Sequence, residues 1–176
     1  IGFDPIFSER DYLQFMHDRV FVPLGMTATV PDFPDSIIVG RTSFYAGPDS
    51  GGTLRNAPYV DNSYKWPSGG FLSSTEDLAR FGQAMLDGKL LTRATRDVMW
   101  TPMHLRDGTV TSYGLGWGVE TDPQGRRRVL HTGGSIGGIS ILALYPDQRV
   151  VVAITVNTDK GLNALAGRVA SWYMIE

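Results

Sequence analysis

Near residue 110 the spacing of apolar residues changes period, and that change constrains the fold more than any other feature. Before it, apolar side chains recur every three or four residues. Leu78, Phe81, Met85 and Leu86 form such a stripe. It is entered through Ser73-Ser74-Thr75-Glu76-Asp77, a run dense in N-cap residues, and closed by Gly88 where a helix C-cap belongs. After it, Tyr113, Leu115, Trp117 and Val119 alternate with Gly114, Gly116 and Gly118, which predicts a strand with one bulky face and one of bare backbone. Asp122-Pro123-Gln124-Gly125 supplies a turn, and residues 128–132 read as the returning strand. Residues 139–145 and 150–156 form a second hairpin across Pro146-Asp147-Gln148, the last run apolar enough to be a central strand. Leu162, Leu165, Ala166, Val169 and Trp172 return to helical spacing, predicting a terminal helix over one sheet face. Helices, then an antiparallel meander, then a helix: the class is α+β.

The first third is less regular. Ser8-Glu9-Arg10-Asp11 outlines a capping box. Tyr12, Phe15, Met16 and Val20 follow at helical spacing, and Pro23 and Gly25 close the segment. From Thr29 to Pro67 the chain is rich in Pro, Gly, Ser, Asp and Asn. Irregular excursions of that length are usually functional or packed over a site. A short helix is expected over residues 92–100, stopped by Pro102. Residues 1–110 therefore read as a helical and long-loop region bordering a site, and residues 111–176 as antiparallel strands plus a C-terminal helix.

Charge and composition narrow the function. A net charge of −2 makes no electrostatic case for a nucleic-acid partner or an anionic membrane. Arg126-Arg127-Arg128, the sole basic run, reads as a solvated strand edge. With no cysteine there is no disulfide, thiolate metal site or thiol nucleophile. No apolar stretch approaches the length of a membrane span. His17, His104 and His131 have no metal-ligand spacing, so neither a metal nor another cofactor is expected.

Chemistry concentrates at His131-Thr132-Gly133-Gly134. A small, backbone-exposing run at a strand end can offer N–H groups to a developing oxyanion, with an imidazole beside it. By spacing alone the same run also reads as a strand ending in a flexible glycine turn. Gly134-Ser135-Ile136-Gly137 is one residue short of a nucleophile elbow, which makes Ser135 a poor nucleophile candidate.

Several blocks bear a family resemblance. Pro58-Tyr59-Val60-Asp61-Asn62-Ser63-Tyr64-Lys65-Trp66, Gly69-Gly70-Phe71-Leu72-Ser73, Asp77-Leu78, Phe81-Gly82, Met99-Trp100-Thr101-Pro102 and His131-Thr132-Gly133-Gly134 closely resemble the serine β-lactamase-like LACTB family. Pro23-Leu24-Gly25-Met26 and the Gly-Gly-Phe-Leu-Ser block resemble, more broadly, the class C β-lactamase, penicillin-binding protein and esterase superfamily. The resemblance spans residues from about 15 to 160. It implies the C-terminal part of a serine β-lactamase/DD-peptidase-like fold.

In that superfamily a Ser-x-x-Lys pair carries the nucleophile, a Tyr-x-Asn motif or variant the base, and a Lys-Thr-Gly strand closes the site. Here His131-Thr132-Gly133 matches the third motif with histidine for lysine. The resemblance makes Gly134 an oxyanion N–H donor, and Thr132 and Gly133 substrate-lining. No serine in this chain is followed three residues later by lysine, and no tyrosine begins Tyr-x-Asn. The resemblance therefore implies an incomplete catalytic domain whose partner is an N-terminal segment of the same protein carrying the serine. It implies acyl-enzyme peptidase or esterase chemistry on a small ester, peptide or β-lactam, in a bacterial periplasmic or a mitochondrial setting. The alternative is a self-assembling, homo-oligomeric scaffold with little or no catalysis. Histidine is mostly neutral at pH 7 where lysine is a fixed cation, so weaker selection for carboxylated β-lactams is expected. Tyr59, Asp61, Asn62 and Tyr64 in the excursion are candidate substrate contacts, or parts of a packed structural loop.

Overall fold

The computed structural model describes residues 9–47, 53–159 and 165–174. The first helix, α1 (Glu9–Met16), widens into a π-helical turn at His17–Phe21 and ends in a last turn, α2 (Val22–Leu24). Gly25 stops it with a left-handed φ of 64° and an N–H to the Val22 carbonyl, a conformation glycine adopts without steric cost. The capping residue expected at Ser8 lies outside the described residues. Tyr12 and Phe21 meet the ring of Phe71, with centroids 6.3 and 5.3 Å away. Phe15, expected on the same apolar face, is more than half exposed instead.

The described residues of the excursion hold little regular structure. β1 (Val30–Pro31) pairs antiparallel with β4 (Phe71–Leu72), and β2 (Tyr45–Ala46) with β3 (Arg55–Asn56). A 3-10 turn at Ser63–Lys65 runs into the short α3 (Trp66–Gly69). Then α4 (Thr75–Asp87) begins as its sequence predicts. The Ser74 hydroxyl accepts from the Asp77 N–H at 3.2 Å, and Gly88 closes the helix at φ 73°. α5 (Arg93–Met99) is capped by Thr92 and ends at Trp100, ahead of Pro102.

The C-terminal strands form one antiparallel meander, β5 (Gly118–Thr121), β6 (Arg127–Ser135), β7 (Gly138–Tyr145) and β8 (Val150–Val156), in that spatial order. One face buries Val129, Leu142 and Leu144 with Met85, Leu86, Trp100 and Trp117 under α4 and α5. Gly82 lets α4 come close, since a Cβ there would sit 2.6 Å from Val151 Cγ1. The other face packs Ile141, Ala143, Tyr145 and Val152 against Ala166 and Ala170 of α6 (Leu165–Ser171). Burial of this kind is the main source of stability, at roughly 25 cal/mol per Å² of apolar surface.

Several expectations are corrected. The Tyr113–Trp117 half of the predicted strand is a tight turn. The Gly114 N–H donates to the Trp117 carbonyl at 2.8 Å, Gly116 takes φ 77°, and a Cβ on Gly114 would collide with the Met99 carbonyl. Those glycines serve a close approach and a left-handed backbone, not a bare strand face. In the described sheet β8 lies at the end beyond β7. It is apolar on both faces because α4 covers one and α6 the other. Finally, Arg126–Arg128 is a partnered set rather than a solvated edge. Arg126 pairs with buried Asp122 at 2.8 Å and lies over the Tyr145 ring, Arg127 donates to the Trp100 carbonyl, and Arg128 pairs with Glu120. In α6 the buried stripe runs through the small residues Ala166 and Ala170. Leu162 lies outside the described residues, and Trp172 is 68% exposed.

Candidate active site

The edge of β6 is where the fold leaves backbone chemistry open. The Asp122 N–H donates to the Arg126 carbonyl at 2.9 Å, and the β5–β6 register continues without a bulge to the Gly118–Leu130 pair. In an antiparallel ladder the backbone groups of successive residues alternate sides. Even-numbered residues of β6 therefore point theirs toward β5, and odd-numbered ones toward β7. The two-residue turn at Ile136-Gly137, closed by Ser135 opposite Gly138, agrees with that parity. β5 stops pairing at Leu130, so Thr132 and Gly134 aim their N–H and C=O groups at an edge with no strand neighbour among the described residues. Around Gly134 there is open space, with no heavy atom within 4 Å of where a Cβ would stand.

Side chains follow the other alternation. His131 pairs across the ladder with Leu142, Gly133 with Ser140, and Ser135 with Gly138. All lie on the face of Val129, continuing the surface that α4 covers farther back. Beyond Leu142 that face turns small: Gly133, Gly138, Ser140 and Thr155 form its floor, with the Ser140 hydroxyl over Gly133. A groove of about 1520 Å³ lies between this floor and the excursion, lined among others by Gly133, Gly134, Ser140, Phe44, Tyr59 and Asn62. That exceeds the roughly 300–1,000 Å³ of typical ligand pockets, and the shape is an open trough.

The structure thus gathers Gly133, Gly134, Tyr59 and Asn62 around one groove. His131 and Thr132 follow on the same strand just outside its lining. The His131 imidazole is exposed and meets the Tyr113 ring edge-on, with centroids 6.4 Å apart. Asp61 and Tyr64 are not brought in. The Asp61 carboxylate accepts the Ser63 N–H at 2.8 Å, and its bonds to Ser63 hold it below the usual carboxylate range; its geometry is that of a cap on the 3-10 turn. The Tyr64 ring is 74% exposed. Ser135 also lines the groove, at the turn end of β6.

Other residues that hold the groove, apart from Asp77 in the resembling Asp77-Leu78 block, were not singled out from the sequence. Buried Asp32 takes the Arg41 guanidinium at 2.5 Å and accepts from Asn62 Nδ2 at 3.4 Å, while its N–H donates to the Gly70 carbonyl at 2.7 Å. Asp77, fully buried, accepts from the Ala28 N–H (2.8 Å), the Thr29 hydroxyl (2.9 Å) and Arg80 Nη1 (2.8 Å). This ties the turn after Gly25 to the start of α4. Asn157, just past β8, donates its side-chain amide to the Thr42 hydroxyl at 3.2 Å and the Ser43 carbonyl at 3.0 Å. The only sequence signal for any of them was the acidic residue in the first turn of α4. Among the described residues no group of three or more metal-ligating side chains converges, and no helix is long and apolar enough to cross a membrane.

The meander backed by a C-terminal helix, with a glycine-rich free edge facing a groove, defines a class of protein shared with known ones. Residues 6–170 match the family model described as Beta-lactamase, and the chain belongs to that family. Its members are serine hydrolases. The chain is 32% identical over 202 residues to the mitochondrial serine β-lactamase-like protein LACTB of Mus musculus, a match covering 93% of this chain and 36% of that protein. It is 27% identical over 165 residues to penicillin-binding protein 4* of Bacillus subtilis (strain 168), covering 87% and 36%. Among solved structures, the octameric penicillin-binding protein homologue from Pyrococcus abyssi superposes with a TM-score of 0.76 at 20% identity, over 92% of this chain and 37% of that one. A D-stereospecific amidohydrolase from Streptomyces sp. gives 0.69 at 24%, over 84% and 44%. These two likenesses carry the fold: α+β, of the penicillin-binding and β-lactamase type. The chain spans 36% of the length of either of those two sequence relatives.

Proposed function

We propose that this chain is the C-terminal wall of a serine acyl-transfer site, in which the Gly134 N–H is one oxyanion donor and His131-Thr132-Gly133 the substrate-lining strand. The observation that supports it is the open edge of β6 at Gly134. An amide there is preorganised by the ladder and points away from β7, as stabilisation of a tetrahedral intermediate requires. The serine attacks the substrate carbonyl and is acylated, the leaving group departs with a proton, and water then hydrolyses the ester. Nucleophile and base come from an N-terminal segment of the same protein, consistent with the 36% coverage of its relatives. Tyr59 and Asn62 border the substrate from the excursion. Small esters or peptides are the favoured substrates, because position 131 lacks the lysine that would hold a carboxylate.

The test is acylation of the full-length protein by a fluorophosphonate or penicillin probe. A covalent adduct on serine is the expected result. Its absence from a folded, oligomeric protein contradicts this reading and favours a self-assembling scaffold, a second reading suggested by the octameric state in the name of the Pyrococcus homologue.

A further inference from the structure

At the hairpin end of the groove beside Gly134 stands one aromatic side chain, Phe44. The Phe44 ring lies against the backbone of Gly138, its Cε1 and Cδ1 3.4 and 3.5 Å from where a Cβ on that glycine would stand. On Gly137 a Cβ would come within 2.8 Å of Phe44 Cβ and 2.6 Å of Ala57 Cβ. Gly137 is buried, takes φ 75° and forms the turn that ends β6. The strap carrying Phe44 is therefore seated directly on the hairpin that presents Gly134, and only glycine lets it sit that close.

The ring is also fixed along its own chain. The Phe44 carbonyl accepts the Ala57 N–H at 2.8 Å, and the Tyr45 N–H donates to the Asn157 carbonyl at 3.0 Å. Asn157 Nδ2 holds the Ser43 carbonyl just before it, and the Gly47 N–H reaches the Asp159 carboxylate at 2.7 Å. Backbone bonds thus flank Phe44 on both sides, tying it to β8 and to the 55–57 segment. Gly138 shares its sheet face with Ser135, Gly133 and His131, so the ring stands at the end of the small-residue floor.

We propose that Phe44 is the specificity-determining end wall of an apolar acyl subsite that begins at Gly134 and runs along Gly133 and Ser140 toward the hairpin turn. The assignment rests on the acyl-transfer reading above and deepens it: the substrate class is acyl groups with a short apolar chain, whose length the ring limits. Small residues along the floor keep it low enough for such a chain to lie across it, and an aromatic ring at its end excludes a longer one. One methylene in such a pocket is worth about tenfold or more in discrimination.

The experiment is a chain-length profile. The full-length protein, with Phe44→Ala and Phe44→Leu, is assayed for kcat/KM on p-nitrophenyl esters from acetate to octanoate. The expected result is a wild-type cutoff at short acyl chains that moves to longer ones, with the octanoate-to-acetate ratio rising about tenfold in Phe44→Ala and less in Phe44→Leu. A ratio unchanged in both variants overturns the end wall while leaving the acyl-transfer reading intact. Wild-type protein that neither turns over any ester nor takes up a fluorophosphonate overturns both. A variant that merely folds poorly lowers every ester alike, which leaves the ratio flat and counts against the proposal; Phe44→Leu keeps most of the packing, and a thermal melt of each variant shows which case holds.

Discussion

From Val129 to Ser135, every residue of β6 has a partner across the ladder in β7. Between Thr29 and Pro67, by contrast, the described residues contribute three strands of two residues each. The excursion keeps its shape through single side chains that reach out of it or into it. Asp77 grips Ala28 and Thr29, Asp32 binds Arg41, and Asn157 clasps Thr42 and Ser43. The sheet's order is cooperative, since each pair supports the next. The excursion's order is distributed over a few polar anchors, each of which can be removed alone. On the proposed reading the labour divides the same way: the ladder supplies the invariant chemistry of an aimed N–H, and the excursion shapes what reaches it.

Removing a buried anchor of the sheet should be the largest perturbation of stability. Asp122 lies 5% exposed in the β5–β6 turn, accepting from the Gln124 and Arg126 N–H groups and from Arg126 Nε. Asp122→Ala is expected to cost about 3 kcal/mol, because it leaves the Arg126 charge without its carboxylate and two amides without an acceptor; urea unfolding measures it. Burial pushes the Asp122 carboxyl up, but the Arg126 backbone and side-chain bonds, the Gln124 bond and the Arg126 charge outweigh it and set it below its ordinary value. Its stabilisation is therefore fully present above the unfolded value of about 3.9 and is lost as pH falls through the lower folded one. The variant's deficit should shrink in acid. A deficit independent of pH between 5 and 2 would show that the charge plays no part.

Loosening the excursion should do less globally and more locally. Asn157→Ala removes the clasp on Thr42 and Ser43 at an expected cost of about 1 kcal/mol. Hydrogen exchange should quicken at the Tyr45, Gly47 and Ala57 amides and stay unchanged along β7 and β8. Equal quickening in the sheet would break the distinction drawn between the two regions. His131→Lys should have the smallest effect: a few-fold shift toward carboxylated substrates in the full-length protein, seen as a change in relative kcat/KM between a penicillin and a neutral ester. Unchanged preference would mean that the residue at this position does not select charge.

The same contrast explains how much of the molecule could be read from its sequence. Apolar period revealed α4, apolar runs around a turn revealed β7 and β8, the turn at Asp122–Gly125 marked β6 as the returning strand, and Ser74 and Gly88 marked the ends of α4 by local bonds. Period failed at Tyr113–Trp117. An alternation with glycine looks the same whether the glycines line a strand face or, as here, permit a left-handed turn pressed against Met99. It also failed at Arg126–Arg128, where a charge run conceals three different partners far apart in sequence. Of the candidate site, Gly133, Gly134, Tyr59 and Asn62 share the groove. Asp61 and Tyr64 came from the same resembling block as Asn62 but do not line the groove, since neighbours in a short loop need not share a side. Asp32, Arg41 and Phe44 escaped notice because their partners at Asn62, Gly70 and Gly137 are near only once the chain has folded.

The central claim is that the Gly134 N–H, held at an open strand edge, stabilises the acylation transition state. Gly134→Pro removes that N–H at an edge position where proline is tolerated. Gly134→Ala keeps it and has room for the methyl group. The decisive measurement is the acylation rate of the full-length protein and both variants by a fluorophosphonate. The account predicts a loss on the order of 10²–10³ for proline and a far smaller one for alanine, with both melting near wild type. Wild-type acylation in a folded Gly134→Pro protein would contradict it.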